Sequence, residues 1–213
     1  MSPLSKRYLF AYNSLQALGW AFALSRILSS FVFTKSIHGA YASAGELIWL
    51  LEAFQFLEVV HAAIGIVPSG VWTTFIQWEG RIIFLLAVHQ IDEVQELPTI
   101  FTTLVAWSLA EIIRYPHYAL NCIGKCPSWM TYLRYSAFTV LYPIGIPGEM
   151  WLAYQALPFI KKKDLLFSGL PFSYYSYHKL HLLCCPYPNL KLYQHMLKQR
   201  RSKLGKLHKK EKI

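Results

Sequence analysis

Five stretches of mainly apolar residues, at 8–33, 45–66, 71–88, 100–118 and about 135–157, dominate the sequence. Each approaches or exceeds the ~20 residues that a helix rising ~1.5 Å per residue needs to cross a ~30 Å hydrocarbon core. A sixth, 171–193, is weaker because His178, Lys179, His181, Pro186 and Pro188 interrupt it. Only 15% of the 213 residues are charged and 54% are hydrophobic, whereas about a quarter of an average soluble chain is charged. The apolar content excludes disorder, and four cysteines are too few for a disulfide-stapled secreted module. The expected fold is an all-α membrane protein: a polytopic bundle of about six transmembrane helices over residues 1–193, then a basic cytosolic tail over 194–213.

The net charge of +10 would suit nucleic acid if it were spread over a soluble face. It is not spread. Lys191, Lys198, Arg200, Arg201, Lys203, Lys206, Lys209, Lys210 and Lys212 supply 9 of the 21 basic residues, against Glu211 alone. A basic segment directly after apolar sequence is what the positive-inside rule leaves in the cytosol, where it can lie on anionic lipid. Membrane lipid is therefore the expected partner, and nucleic acid is not.

The first stretch is too long for the apolar region of a cleaved signal, and the small-residue run Ala42-Ser43-Ala44 lies well past its end. It is expected to stay as an anchor. Loop charge leaves one conflict. Six spans put both termini in the cytosol and Asp92, Glu93 and Glu96 in the lumen, but they also put Lys161, Lys162 and Lys163 there. Five spans would set those lysines beside the tail and move the N-terminus across. No internal repeat and no separate soluble domain is visible.

Ionisable groups at membrane depth are costly and mark function by default. Glu52, Glu58 and His61 fall in the second stretch, Glu79 and Arg81 in the third, Glu111 and Arg114 in the fourth, and Glu149 in the fifth. Glu111 and Arg114 lie one turn apart on one helical face, and Arg81 is placed to join them. They suit either an ion pair that fixes helix register or a site for an anionic or carbonyl-bearing substrate. Glu52 and Glu58, six residues apart, do not share a face; Glu58 and His61 do.

The run Leu141-Tyr142-Pro143-Ile144-Gly145-Ile146-Pro147-Gly148-Glu149 is the most unusual in the chain. Tyr142 and Glu149 lie seven residues apart, about two turns, and so face one way on a regular helix. Two prolines and two glycines predict a helix broken there, which membranes tolerate only where the chain lines a protein-enclosed cavity. A phenol and a desolvated carboxyl in such a cavity make a general acid–base pair. Dehydration of a 3-hydroxyacyl thioester needs such a pair: one proton leaves C2, and another is delivered to the departing 3-hydroxyl.

At these residues the chain resembles the membrane-bound very-long-chain (3R)-3-hydroxyacyl-CoA dehydratases, also called protein tyrosine phosphatase-like proteins, and is most similar to the PASTICCINO type. The resemblance runs from about Tyr8 to the basic tail. It is carried by Leu57-Glu58-Val59-Val60-His61 leading to Ile64-Gly65-Ile66-Val67-Pro68-Ser69, by Ala106-Trp107-Ser108-Leu109-Ala110-Glu111-Ile112-Ile113-Arg114-Tyr115, by Leu133-Arg134-Tyr135, by the Tyr142 to Glu149 run, and by His195-Met196-Leu197-Lys198-Gln199-Arg200-Arg201. It implies a six-span enzyme of the endoplasmic reticulum that converts (3R)-3-hydroxyacyl-CoA to trans-2-enoyl-CoA, the third step of fatty acid elongation, without metal or redox cofactor. The family's catalytic tyrosine and glutamate fall on Tyr142 and Glu149, and its supporting or substrate-binding positions on Arg81, Glu111, Arg114 and Gly145. Expected partners are acyl-CoA and the other enzymes of the cycle, the condensing enzyme and the two reductases. Which of Tyr142 and Glu149 takes the C2 proton is open.

The chain departs from the family in the polar stretch from Tyr177 to Leu192. Its C-terminal Lys209-Lys210-Glu211-Lys212-Ile213 lacks the lysine spacing of a dilysine retrieval signal. Phosphatase chemistry fails on residues: the position six beyond Cys122, Cys126, Cys184 and Cys185 is Ser128, Tyr132, Leu190 and Lys191, never the phosphate-binding arginine. The alternative role is non-catalytic, as a binder of phosphotyrosine proteins or an elongase scaffold. A transporter would repeat the broken helix in two halves, and Cys122 and Cys126 lack the spacing of a zinc knuckle. Arg134, Lys125 and the tail are the cations best placed for the phosphates of an acyl-CoA.

Overall fold

The computed structural model describes residues 2–163 and 173–210, and among them every regular element is a helix. The order is α1 (Pro3–Thr34), α2 (Ala40–Ala63), α3 (Val71–Gln90), α4 (Asp92–Gln95), α5 (Pro98–Cys122), α6 (Ser128–Ser136), α7 (Phe138–Lys163), α8 (Tyr174–Cys184) and α9 (Pro186–Lys210). Residues 171 and 172, which open the weak sixth stretch, and residues 211–213 of the tail lie outside the described residues.

Local signals set the ends. Ser2 caps α1, its hydroxyl accepting from the Ser5 N–H at 3.1 Å, and Pro3 fills the first turn, where no backbone donor is needed. Gly65 (φ 74°) and Gly124 (φ 67°) take the left-handed turns that end α2 and α5. Pro98 and Pro186 open α5 and α9 in the same way as Pro3.

Side-chain contacts fix the helix directions. Tyr8 meets His61 and Gln16 meets Leu51, so α1 and α2 are antiparallel. Tyr41 meets His89 and Arg81 meets Glu52 across α2 and α3. Phe84 packs on Trp107 of α5, Trp107 reaches Glu149 of α7, and Tyr142 of α7 reaches Asn189. The tight α1–α2 corner, where His38 bonds the Glu96 carbonyl at 2.6 Å, thus lies at one end of the bundle with α4. At the other end α6 packs on α9, with Arg200 bonding Ser136 at 3.4 Å.

The burial pattern is that of a chain in lipid. Glu52, Gln55, His61, Glu111 and His117 are buried, while Phe22, Phe33, Phe54, Trp72, Ile144, Trp151 and Leu183 are exposed. Large apolar side chains turned outward around buried charges are stable only in an apolar surrounding. The apolar core runs through Trp20, Ile27, Ile48, Leu85, Leu104, Leu152 and Ile160.

Three details differ from the sequence expectations. By length and apolarity together, two of the described helices qualify to cross a membrane, α1 and α3. The helices α2, α5 and α7 are longer than α3 but carry the polar and ionisable groups of the interior, among them Glu52, Glu58, Glu111, Arg114 and Glu149. Secondly, α7 is continuous from Phe138 to Lys163 through Pro143, Pro147 and Pro158, where a broken helix was expected. Each proline removes one backbone donor, and without water to compete the neighbouring hydrogen bonds hold the ladder. Thirdly, a short half-exposed helix, α6, precedes α7, with Trp129 and Tyr132 outward, as aromatic side chains at a membrane interface are.

Candidate active site

The buried charges form one connected network between α2, α3 and α5. One Arg81 nitrogen donates to Glu52 at 2.8 Å and to Glu111 at 2.7 Å. Glu111 offers its other oxygen to Arg114, whose remaining nitrogens reach Glu58 at 2.7 and 3.0 Å. The Tyr115 hydroxyl donates to Glu58 at 2.6 Å. Glu52 and Glu58, which do not share a face of α2, thus join the same network through different arginines. Glu111 and Arg114 pair as their spacing predicts, and Arg81 joins them. Two arginines hold three carboxylates across three helices. His61 stands apart from this network and bonds Tyr8 at 2.9 Å.

Glu149 is placed differently. Among the described residues no arginine pairs with it directly; its carboxylate accepts from the indole N–H of Trp107. The Arg81 guanidinium lies 4.8 Å from the centre of the same indole, so the network touches Glu149 through Trp107. Glu149 lines a narrow cleft that is partly open to the surroundings. Around it stand Gly80 and Phe84 of α3, Met150 of α7, His178 and His181 of α8, and Asn189 of α9.

Tyr142 is half-buried two turns before Glu149, and its hydroxyl is 2.9 Å from both the backbone carbonyl and the side-chain oxygen of Asn189. One proton serves one of these acceptors at a time. Its ring stacks on Tyr193 at 5.3 Å. Tyr142 does not itself line the Glu149 cleft; it bonds Asn189, which does. Arg81, Glu111 and Arg114 lie behind that cleft rather than on it. Gly145 is buried against α5, where an added Cβ would lie 3.9 Å from that of Ala106. Gly148 is tighter, at 3.3 Å from the Thr103 hydroxyl. Both glycines let α7 approach α5, which carries Trp107. Of the cations expected to meet phosphates, Arg134 is 3.3 Å from the Tyr118 hydroxyl and Lys125 is exposed, both at the α6–α9 end.

Among the described residues no three of His, Cys, Asp and Glu converge as a metal site would require. Residues 52–206 match the model of the protein tyrosine phosphatase-like family, PTPLA. The chain belongs to the PTPLA family. Human very-long-chain (3R)-3-hydroxyacyl-CoA dehydratase 2 is 35% identical over 210 residues, which are 95% of this chain and 83% of that protein. The mouse dehydratase 1 is 35% identical over 209 residues, 94% of this chain and 74% of its own length. The Caenorhabditis elegans very-long-chain (3R)-3-hydroxyacyl-CoA dehydratase hpo-8 is 34% identical over 166 residues, 77% of this chain and 76% of its own. No solved structure matches the chain.

Sequence reasoning did not single out Trp107 as the partner of Glu149, or Asn189, His178 and His181 as lining this PTPLA cleft. A signal for the last three was present. Residues 178, 181, 182, 185 and 189 all line the cleft, and their spacing marks one stripe along a helix.

Proposed function

We propose that this PTPLA-family chain is a hydro-lyase that converts (3R)-3-hydroxyacyl-CoA to trans-2-enoyl-CoA, with Tyr142 and Glu149 as its acid–base pair. The observation that carries the assignment is the contrast among the buried acids. Glu52, Glu58 and Glu111 are paired with arginines, whereas among the described residues Glu149 has no salt bridge, accepts from an indole N–H and faces the cleft. A carboxylate fully engaged by guanidinium is a structural element; one held by a single neutral donor in a cleft keeps lone pairs for a substrate.

The reaction removes one proton from C2, forms the C2–C3 double bond and releases the 3-hydroxyl, which leaves as water after taking up a proton. One of the two residues serves C2 and the other the leaving oxygen. They approach from two turns of one helix, so substrate lying along α7 meets both. The network behind them keeps Trp107 in position and so aims Glu149.

The same reading places the chain in the endoplasmic reticulum membrane with six crossings made by α1, α2, α3, α5, α7 and the α8–α9 pair. The alternating directions of those helices support it, as do the electrostatic proximity of Lys6 to Cys122 and of Arg134 and Lys203 to His117, which gathers the N-terminal basic residues and α9 at one end. The cytosolic C-terminus then brings its cations to the phosphates of acyl-CoA, and the elongation enzymes that supply and consume substrate work in the same membrane. Glycosylation acceptors inserted at 36–39 and at 92–97 are expected to be modified, and one appended after residue 213 is not.

The deciding experiment is dehydration of a long-chain (3R)-3-hydroxyacyl-CoA by the purified chain in detergent, beside Tyr142→Phe and Glu149→Gln. Loss of an acid–base partner is expected to lower turnover by at least ~10²-fold in each. Full activity in either folded variant removes that residue from the pair.

A further inference from the structure

An acid–base pair accounts for the two protons of the elimination but not for the charge that passes between them. As the proton leaves C2, its electron pair moves first onto the thioester carbonyl oxygen. Away from bulk water, an oxygen that gains charge in this way needs a hydrogen-bond donor already in place. The other donors at the cleft are committed. The Trp107 indole N–H serves Glu149 itself, and the Asn189 amide donates to Cys185 at 2.9 Å, whose thiol is a weak donor.

His181 of α8 is different. It lines the same cleft as Glu149. Its Cε1 and Nε2 lie 3.6 and 3.8 Å from where a Cβ on Gly80 would stand, so the missing side chain on α3 leaves that edge of the ring room. The other histidine side chains among the described residues are engaged. His38, His61, His89, His117 and His195 bond a neighbouring side chain or carbonyl, and His178 bonds the backbone of Ala153. His181 lies beside the Tyr177 ring, 6.3 Å between centroids, and among the described residues neither of its nitrogens has a hydrogen-bond or ion-pair partner. An imidazole carries one N–H when neutral and two when protonated, so it can donate in either state. A polar ring left without a partner at membrane depth is costly and marks function by default.

We propose that His181 is a third catalytic residue, whose N–H donates to the thioester carbonyl oxygen of the substrate while Tyr142 and Glu149 handle the two protons. As the C2–H bond breaks, the electron pair forms the C1–C2 double bond of an enolate, and the oxygen takes the charge beside the imidazole N–H. The carbonyl then re-forms as the pair moves into the C2–C3 double bond, the C3–O bond breaks, and the hydroxyl leaves as water with the delivered proton. The proposal rests on the dehydratase assignment. It requires no passage through the bundle, because the cleft opens to the surroundings and only the thioester and its first carbons must reach it.

The test compares the parent in detergent with His181→Leu, which removes the donor, and His181→Gln, which restores an N–H. With a long-chain (3R)-3-hydroxyacyl-CoA, His181→Leu is expected to lose about 10²-fold in kcat with little change in KM, because the donor acts on charge that develops after binding. His181→Gln is expected to stay within about tenfold of the parent. A kcat in folded His181→Leu within about threefold of the parent's overturns the proposal. The second readout needs binding and not turnover. The infrared carbonyl band of bound trans-2-enoyl-CoA, isotope-labelled at its carbonyl carbon, is expected below that of the free thioester in buffer. A band in the parent at or above the free value overturns the proposal whether or not either variant folds. A parent that lowers the band but dehydrates nothing supports the His181 contact and removes the dehydratase assignment, whereas one that dehydrates with an unshifted band removes the contact and leaves the assignment.

Discussion

Trp107 of α5 donates its indole N–H to the Glu149 carboxylate of α7 while the Arg81 guanidinium stacks on the face of the same indole. One side chain thus joins the ion network to the cleft. A guanidinium over an aromatic face draws on the negative face of the ring and leaves the edge N–H free to donate. The network fixes the ring, and the ring fixes the acid.

Trp107→Phe keeps an aromatic face for Arg81 and removes the donor. A hydrogen bond to a charged group contributes about 1.5–3 kcal/mol, so turnover is expected to fall by roughly one to two powers of ten, with a smaller change in KM. Steady-state kinetics beside thermal unfolding check this. A Tm close to the parent's, with reduced kcat, separates aiming of Glu149 from loss of the fold.

Breaking the network itself acts on stability first. Glu111 accepts from both arginines, so Glu111→Leu leaves Arg81 with Glu52 as its carboxylate and Arg114 with Glu58 and the Tyr115 hydroxyl. Removing one partner of a buried pair costs about 3–5 kcal/mol. Arg114 and Glu58, bound through two nitrogens, are expected to show a coupling of about 1–3 kcal/mol in a double-mutant cycle measured by unfolding in detergent. Additive losses would mean that the contact is not formed in the membrane-extracted protein.

How much of this was legible in the sequence follows from what period and charge can encode. The apolar stretches place α1, α2, α3, α5 and α7 because a lipid-facing helix is apolar around most of its surface. The Glu111–Arg114 pair follows from its spacing of three. The approach of Glu58 to Arg114 does not, since it depends on which helices are neighbours. The prolines of α7 suggest a break because the loss of a donor is visible in sequence, whereas the persistence of the surrounding ladder in a dry environment is a tertiary property. The polar run around His178 and His181 looks unsuited to a span when its residues are summed. Sorted by helical face, the same residues line the Glu149 cleft. Trp107 gave no sign of its role, because an indole within an apolar helix reads as packing.

Tyr142 rests on Asn189 through two acceptors, the backbone carbonyl and the side-chain oxygen, both at 2.9 Å. Asn189→Ala removes the second and keeps the first. Activity is therefore expected to fall only severalfold, well short of the ~10²-fold expected for Tyr142→Phe. Asn189→Pro, at the first turns of α9, would move the backbone as well and is expected to lower activity further. Rates for the three variants at saturating substrate check the order, and a loss in Asn189→Ala equal to that in Tyr142→Phe would assign the side chain a direct role.

Gly145 and Gly148 both face α5, but the space around them differs. At Gly145 a methyl group would lie in ordinary van der Waals contact with Ala106, and alanine also favours the helix by about 1 kcal/mol over glycine. Gly145→Ala is therefore expected to unfold at or above the parent's temperature. At Gly148 the methyl group would press on the buried Thr103 hydroxyl at 3.3 Å, and Gly148→Val is expected to destabilise by about 1–3 kcal/mol through overpacking. Thr103→Ala should relieve part of that loss by removing the hydroxyl. The comparison also bears on chemistry, because a Gly145→Ala protein that is stable yet inactive would show that Gly145 leaves room for substrate, whereas a stable and active one confines its role to helix contact.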